Sequence, residues 1–350
     1  NIYKLPEILK EHMKTEKLEV NVWSNEGNVI EGLPSKRDSK YKAWVNIMYG
    51  CDKFCTYCIV PYTRGKQRSR MPEDIISEVK NLKEQGYMEV TLLGQNVNAY
   101  GKDFKDRNYK MENLLEDVAK TGINRVRFVT SHPWDFTDNM IDIIKKYDNI
   151  CNYIHLPVQS GSSRILKLMG RRYTKESYLE LYKKIREKLG DNSSITTDII
   201  VGFPGETTKD FEETLKLAEE CKYDSAFTFI YSPREGTPAA KMKDNVSKEE
   251  KEQRLYKLNE IINKYAKEAN DKLVGKVMKV LLENVSEKDE NMLAGYTDTM
   301  KLVNVKADKK YIGKIVNVKI TDAKTWSLDG KIDEWYRRKN RWIIWWFWRI

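Results

Sequence analysis

The chain has 350 residues, of which 33% are charged, and its 62 Lys and Arg against 52 Asp and Glu give a formal net charge of +10. This length predicts about two domains and a substantial core. Five cysteines in such a chain, with no secretory segment at its start, are typical of reduced thiols and argue against a disulfide framework. The positive charge indicates a polyanionic partner only where it is localised.

The first forty residues form a polar lead-in. It begins with Asn1 rather than Met and ends in the turn-forming sequence Gly32-Leu33-Pro34-Ser35. We interpret residues 1–40 as the remnant of a preceding domain and a linker, and we expect the sequence to be a fragment of a longer protein.

From Ala43 onward, apolar strands alternate with amphipathic helices. Helices are predicted over 72–85 and 175–189, closed by Gly86 and Gly190. Strands are predicted at residues 43–49, 89–93, 125–130, 153–158, 195–201 and 226–231. Six strand–helix units over residues 41–271 predict an α/β fold with a parallel sheet, which is a partial TIM-like (β/α)6 barrel.

Three thiols, Cys51, Cys55 and Cys58, follow the first strand with the spacing C-x-x-x-C-x-x-C. They can ligate three irons of a 4Fe–4S cluster and leave the fourth iron open to chelate a small molecule and pass it an electron. The alternative is structural zinc, which needs a fourth ligand. No fourth Cys or His lies near the loop, and Cys151, Cys221, His132 and His155 are distant in sequence and could reach it only through the fold. Cys151 and Cys221 lie in apolar surroundings and are predicted to be core residues.

Polar residues also follow the other predicted strands. Parallel barrels build their sites at the C-terminal ends of the strands, so these residues are expected to converge with the cysteine loop on one rim. They are Gln95 and Asn96, Ser131 and His132, Gln159 to Ser162, Gly202 to Glu206, and Pro233 with Arg234.

Positive charge is concentrated in two segments. Residues 51–70 carry five basic side chains and one acid, and residues 272–350 carry 17 Lys and Arg against 10 Asp and Glu. The motif Ser247-x-x-Glu250 predicts the start of a long helix that runs to about Asp271. After it, β-rich runs at 277–282 and 312–320 predict a small β-barrel over residues 272–330, of the size used for RNA binding, or else a generic β-module.

The last twenty residues are unusually rich in tryptophan. Their apolar run is too short to span a bilayer, and an interfacial anchor or a stacking surface is conceivable. We interpret residues 331–350 as an atypical, non-native tail without function. Its tryptophans are Trp335, Trp342, Trp345, Trp346 and Trp348.

Several motifs resemble the radical-SAM methylthiotransferase family, in which S-adenosylmethionine (SAM) is the cofactor. The stretch around the cysteines resembles the family's radical-SAM core, and residues 319–323 resemble the end of its TRAM domain, a β-barrel that holds tRNA. Residues 60–65 and 94–101 look most like the MiaB-type tRNA enzymes. The matching segments, in chain order, are 49–65, 94–98, 131–133, 155–162 and 198–206.

The resemblance implies roles for individual residues. Cys51, Cys55 and Cys58 would hold the 4Fe–4S cluster, with SAM on its open iron, and would be the catalytic residues. Cleavage of SAM would give a 5′-deoxyadenosyl radical that abstracts hydrogen from adenine C-2, before sulfur is added. Residues expected to line the SAM pocket are Tyr57, Gln95, Gln159, Ser160, Ile200, Gly202 and Phe203.

The implied reaction adds a methylthio group to C-2 of an isopentenylated adenosine next to the tRNA anticodon. The family's second cluster belongs to an N-terminal domain without a counterpart here, so we expect this chain to be incomplete for sulfur transfer. The implied partners are tRNA and an electron donor such as flavodoxin or ferredoxin, and we expect a cytoplasmic monomer that does not bind membranes.

Three alternatives stay open. One is a sister methylthiotransferase that acts on threonylcarbamoyl-adenosine in tRNA or on a ribosomal-protein aspartate. Another is a radical-SAM enzyme that transfers no sulfur. The third is a non-enzymatic RNA-binding protein stabilised by zinc.

Overall fold

A computed structural model describes residues 4–18, 29, 31–32, 36–287 and 289–333. The tryptophan-rich segment 334–350 and much of the lead-in lie outside the described residues. One helix of the lead-in is described, and none of its residues is buried. Among the described helices, none is long and apolar enough to cross a membrane.

The secondary structure alternates as the sequence predicts. The helices are α1 (Leu5–Thr15), α2 (Val60–Arg64), α3 (Pro72–Glu84), α4 (Met111–Lys120), α5 (Asp138–Lys146), α6 (Ser163–Leu168), α7 (Lys175–Leu189), α8 (Thr208–Cys221) and α9 (Lys248–Asp271). The strands are β1 (Lys42–Asn46), β2 (Met48–Tyr49), β3 (Arg68–Ser69), β4 (Glu89–Leu93), β5 (Arg125–Phe128), β6 (Tyr153–His155), β7 (Ser194–Val201), β8 (Ser225–Ile230), β9 (Val277–Val285), β10 (Leu293–Thr297), β11 (Leu302–Val305), β12 (Ile315–Ala323) and β13 (Leu328–Ile332).

Six parallel strands form the first unit. β1, β4 and β5 make one three-stranded sheet, and β6, β7 and β8 make another. A parallel bridge between Val126 and Ile150 joins them, and the Val126 amide donates to the Asn149 carbonyl at 2.8 Å. The predicted α/β fold with a partial (β/α)6 barrel is therefore confirmed.

Local sequence explains the boundaries of these elements. The predicted first strand is broken at Ile47, because Met48 and Tyr49 leave the sheet to pair with β3. In α7, the Thr174 hydroxyl caps the first turn and Gly190, at φ +73°, ends the helix. One face of α7 packs against the core, with Tyr178, Tyr182 and Ile185 at most 6% exposed.

A second unit follows α9. The five strands β9 to β13 close into a barrel with the order β10-β11-β13-β12-β9. Its core contains Val280, Leu293, Val303 and Ile320, each at most 1% exposed. The predicted small β-barrel is therefore present, and the Ser247 hydroxyl accepts the Glu250 amide at the start of α9 as its motif predicts.

The five-stranded barrel docks on the N-terminal ends of the parallel strands. Arg125 and Arg127 of β5 pair with Glu89, the first residue of β4, at 3.7 and 3.0 Å. Arg127 also donates to the backbone carbonyls of Thr297 and Asp298, at 2.5 and 2.6 Å. The cysteine loop follows the opposite, C-terminal end of strand β1, away from these docking contacts.

Candidate active site on the barrel rim

The base of the cysteine loop is fixed by backbone contacts. Gly50, which precedes the first thiol, has a φ of +69°, and a Cβ at this position would lie 2.0 Å from the carbonyl oxygen of Lys66. The Cys51 amide donates to the Gly65 carbonyl at 3.1 Å. Only glycine combines this positive φ with such a close approach, so the sequence Gly50-Cys51 sets where the loop begins.

The middle of the loop is held by two other parts of the rim. The Thr56 amide donates to the Met169 carbonyl at 3.0 Å and its hydroxyl to the Leu168 carbonyl at 2.8 Å. The Thr56 carbonyl in turn accepts the Ala239 amide at 2.9 Å. The end of α6 and the segment after β8 therefore fix the loop between Cys55 and Cys58.

The three thiols lie in one partly buried environment. Cys55 is buried, whereas Cys51 and Cys58 are half-buried. Burial and, more weakly, the charge of the neighbouring thiols raise the pKa of Cys51 and Cys58. The loop therefore places its three thiols together in a partly buried environment beside the rim.

A buried guanidinium lies beside these thiols. Arg171 donates from Nη1 to Cys55 Sγ at 3.5 Å and from Nη2 to the Pro157 carbonyl at 3.1 Å. Its Nε donates to the hydroxyl of Tyr173 at 2.8 Å. Arg171 thus links the loop after β6 to the cysteine loop. It also places a positive charge and a hydrogen-bond donor beside the sulfur of Cys55.

The donor set fits an iron–sulfur cluster. Within the residues that the structure describes, no three Cys, His, Asp or Glu side chains converge on a position for one metal ion. A cubane cluster does not need that convergence, because each thiolate binds a different iron. The cysteine loop supplies three such thiols, and the Arg171 guanidinium offsets negative charge at one of their sulfurs. These residues therefore suit a cubane cluster.

Three of the predicted SAM-lining residues meet in one apolar cluster on the rim. Phe203 is fully buried and Tyr57 and Ile200 pack around it. The ring of Phe203 lies edge-on to Tyr231, with 5.2 Å between the ring centroids. This cluster packs against the cysteine loop through Tyr57 and reaches the ends of β7 and β8.

Two more of the predicted residues, Gln159 and Ser160, follow β6. Gln159 is 7% exposed and has a φ of +73°, a conformation uncommon for residues other than glycine. Its amide donates to the Asp198 carbonyl at 2.8 Å and its carbonyl accepts the Ile200 amide at 2.9 Å. The Ser160 hydroxyl lies 3.4 Å from that of Thr214 in α8 and accepts the Ser162 amide at 3.2 Å. Hydrogen bonds to β7 and α8 therefore hold the turn after β6 in place.

Gly202 is held in the turn after β7. Its φ is +68°, and its amide donates to the Glu206 carboxylate at 2.7 Å. Glu206 in turn forms a buried ion pair with Arg254 of α9 at 2.6 Å. Burial raises the pKa of Glu206, whereas the hydrogen bonds from the Gly202 amide and from Arg254 oppose that rise.

The loop after β4 reaches the same rim. Gln95 is half-buried, and the Asn96 amide group donates to Asp135 at 2.6 Å. Asp135 also pairs with Lys53 of the cysteine loop and with Lys102, both at 2.6 Å. Burial opposes ionisation here, but the hydrogen bonds from Lys102, Lys53 and Asn96 hold the pKa of Asp135 below its usual value.

His132 is buried beside this network. Burial and the nearby Arg171 lower the pKa of His132 to about 2, so the imidazole is neutral. Its Nδ1 accepts the Trp134 amide at 3.3 Å, which shapes the turn after β5. The segments after β5, β7 and β8 therefore contact the cysteine loop, through Lys53, Tyr57 and Thr56. The loops after β4 and β6 are linked to it through Asp135 and Arg171. Arg234 after β8 is exposed.

Sequence reasoning missed several residues of this rim. Arg171 and Arg172 follow α6 rather than a strand, so the rule that polar residues follow strands does not find them. The basic segment also needs a correction, because Arg70 is not free to bind phosphate. It is 7% exposed and pairs with Glu31 at 2.5 Å and Glu78 at 2.8 Å.

Cys151 and Cys221 lie away from the rim. Each is 3% exposed, as predicted for core residues. Burial raises the pKa of Cys151 to about 11 and of Cys221 to about 12, so both stay protonated thiols.

The five-stranded barrel carries a groove of its own, about 700 Å³ in volume. Four lysines line it, against the two carboxylates of Asp308 and Asp333, together with Tyr311 and Thr321. The lysines are Lys306, Lys310, Lys319 and Lys331.

Comparison with known proteins defines the class. Residues 45–218 match the model of the radical SAM superfamily, and residues 271–332 match the TRAM domain. The chain therefore belongs to the radical SAM superfamily and carries a TRAM domain. The solved coproporphyrinogen III oxidase from Escherichia coli aligns with a TM-score of 0.47 and 16% identity, over 74% of this chain and 67% of that chain.

Curated relatives narrow the class further. A protein of Bacillus subtilis is 59% identical over 332 residues, covering 95% of this chain and 65% of the relative. One from Staphylococcus epidermidis is 57% identical over 338 residues, covering 97% and 66%. Both are named tRNA-2-methylthio-N(6)-dimethylallyladenosine synthase, so the resemblance to the methylthiotransferase family is confirmed. The chain spans about 65% of the length of these relatives.

Proposed function

We propose that this chain is the radical-SAM and TRAM part of an enzyme that adds a methylthio group to C-2 of isopentenylated adenosine beside the tRNA anticodon. One observation carries the proposal. A pinned loop of three thiols lies on the rim of a chain that is 59% identical over 332 residues to the Bacillus subtilis synthase. That similarity favours this reaction over the sister methylthiotransferases and over a zinc-stabilised RNA-binding protein.

In this proposal Cys51, Cys55 and Cys58 hold one 4Fe–4S cluster, and SAM binds beside it. When bound, these two groups supply one-electron chemistry that removes a hydrogen atom from the substrate. The residues proposed to line the SAM site are Tyr57, Gln95, Gln159, Ser160, Ile200, Gly202 and Phe203.

The chain's own residues position and shield that site. The Arg171 guanidinium donates to Cys55 Sγ and thereby stabilises negative charge at sulfur. Tyr57 of the cysteine loop packs against the apolar cluster that contains the buried Phe203. The buried pair of Glu206 and Arg254 holds the amide of Gly202 in place, so the turn is formed before any ligand arrives.

The second cluster, the electron donor and the domain limits are proposals as well. In this proposal sulfur insertion needs a second iron–sulfur cluster, which would be bound by an N-terminal domain. An electron donor such as flavodoxin or ferredoxin supplies electrons, and the enzyme acts as a cytoplasmic monomer. We assign residues 41–271 to the radical-SAM core and residues 272–330 to the TRAM domain, with residues 1–40 as the lead-in.

We propose that the lysine-lined groove of the TRAM domain holds the tRNA backbone. Exchanging Lys319 and Lys331 together for Gln should weaken tRNA binding. It should also lower the slope of log affinity against log salt by about 0.7 to 0.9 for each phosphate that is no longer neutralised. The matched control exchanges Lys183 and Lys248 together for Gln. Both are exposed lysines of the radical-SAM core. Equal effects of the two double variants would contradict a role for this groove.

Analysis of tRNA nucleosides tests the reaction itself. Cells that lack the gene should lose 2-methylthio-N6-isopentenyladenosine, and a full-length gene with the natural sequence of this region should restore it. A Cys55→Ala variant should restore none, whereas Cys151→Ala, which alters a core thiol, should restore it. Accumulation of isopentenyladenosine without the methylthio group is expected in the deficient cells. A change in methylthiolated threonylcarbamoyl-adenosine instead would identify the sister enzyme.

A further inference from the structure

A cleft of about 200 Å³ opens beside the cysteine loop. The cysteine loop forms one wall, the turn after β5 a second wall, and the segment after α6 a third. We call it the Trp134 cleft. Its lining residues are Asp52, Lys53, Lys102, His132, Trp134, Asp135, Gly170 and Arg172.

The charges of the Trp134 cleft are arranged for an anion. The Asp135 side chain is 1% exposed and binds the ammonium groups of Lys53 and Lys102, which fixes two cations at the cleft. Arg172 is exposed, and its guanidinium lies over the ring of Trp134, 5.2 Å from the centroid. Among the described residues no carboxylate lies within ion-pair distance of Arg172, so its charge is available to a ligand.

Trp134 gives the cleft a flat aromatic surface. Its side chain stays 46% exposed although the cations of Lys53 and Arg172 lie 4.9 and 5.2 Å from the ring centroid. The hydrogen bond from its amide to His132 holds the turn that presents it. Exposed aromatic rings beside Lys and Arg are the means by which proteins bind unpaired nucleotides, because every base can stack on a ring while its phosphate meets a cation.

We propose that the Trp134 cleft binds one nucleotide of the unpaired anticodon loop, next to the adenosine to be modified. Its base stacks on Trp134, and its phosphate lies between Arg172 and Lys102. This inference rests on the proposed tRNA substrate. A nucleotide held here fixes the RNA strand directly beside the cysteine loop.

The test is binding of a fluorescent anticodon stem–loop RNA to the cluster-loaded chain, measured by anisotropy over a range of salt concentrations. Trp134→Ala should weaken binding about 5- to 150-fold with an unchanged salt slope, because stacking is not ionic. Trp134→Phe, which keeps a ring, should retain most of the affinity. Arg172→Gln should lower the salt slope by about 0.7, the value for one phosphate of a single strand.

The matched controls remove an exposed aromatic ring and an exposed positive charge from α9, outside the Trp134 cleft. Tyr256→Ala removes an exposed aromatic ring of α9, and Lys248→Gln removes an exposed charge at the start of that helix. Both should bind RNA as the unchanged chain does. If Trp134→Ala and Arg172→Gln also bind normally, the cleft proposal is overturned while tRNA binding stands. If the unchanged chain binds no stem–loop, the proposed function fails with it. Loss of SAM binding instead of RNA binding would assign the cleft to SAM.

Discussion

Removing Arg127 should undock the TRAM domain from the radical-SAM core. The Arg127 side chain is 2% exposed, and its substitution by Met breaks the 3.0 Å pair with Glu89. It also removes the hydrogen bonds that Arg127 donates to the carbonyls of Thr297 and Asp298. Arg125, 3.7 Å from Glu89, remains as a weaker partner. Breaking one side of a buried pair costs about 3–5 kcal/mol, so Arg127→Met should lower the free energy of unfolding by that amount.

Denaturant unfolding, followed by circular dichroism, measures this loss. Lys183→Met is the control, because it breaks an exposed pair with Glu220 and should change stability by less than about 0.5 kcal/mol. Adding Glu89→Gln to Arg127→Met should recover part of the loss, since it removes the unpaired buried charge. A loss below about 1 kcal/mol in Arg127→Met would refute the claim that this guanidinium holds the two units together.

Three further predictions concern the rim. Gly50→Ala should reduce iron loading after anaerobic reconstitution, because the added Cβ would clash with the Lys66 carbonyl. The control is Gly86→Ala, which is also at positive φ but has no atom within 4 Å of the added Cβ, and it should load normally. Equal loading of the two variants would contradict the proposed anchoring of the cysteine loop. Arg171→Lys should lower the cluster's reduction potential in a redox titration, since it weakens the donor to Cys55, and an unchanged potential would count against that contact. His132 stays neutral in the folded chain but is protonated below about pH 6.5 in the unfolded chain. The free energy of unfolding should therefore fall on acidification, by up to about 1.4 kcal/mol per pH unit. His132→Gln should flatten this pH dependence in denaturant titrations at several pH values.

Much of the fold is predictable because the apolar pattern matches the sheet. Strand β4 and helix α7 have their predicted limits, since β4 is buried on both faces and α7 has a hydroxyl cap and a closing glycine. Three strands of the TRAM barrel are not predicted. β10, β11 and β13 are four or five residues long, and their alternation is too brief to distinguish them from loops.

Some residues of the candidate site could likewise be predicted from the sequence, and others could not. The cysteine loop and the residues that follow strands are predictable, because the spacing of thiols and the polarity of parallel strands are local properties. Arg171, Asp135 and Trp134 are not, because their roles depend on the fold bringing separate loops together. The availability of Arg70 also cannot be judged from sequence, since its partner Glu31 is 39 residues away.

One anaerobic assay tests the central claim most directly. The chain, with iron and sulfide restored and a chemical reductant added, is mixed with SAM and isopentenylated tRNA, and both products are followed by chromatography. We expect 5′-deoxyadenosine, and no methylthiolated adenosine from this chain alone, because sulfur insertion is assigned to a cluster outside it. Cys55→Ala should give neither product. A cluster-loaded sample that yields no 5′-deoxyadenosine would contradict the radical-SAM assignment, and methylthio product from this chain alone would contradict the need for a second cluster.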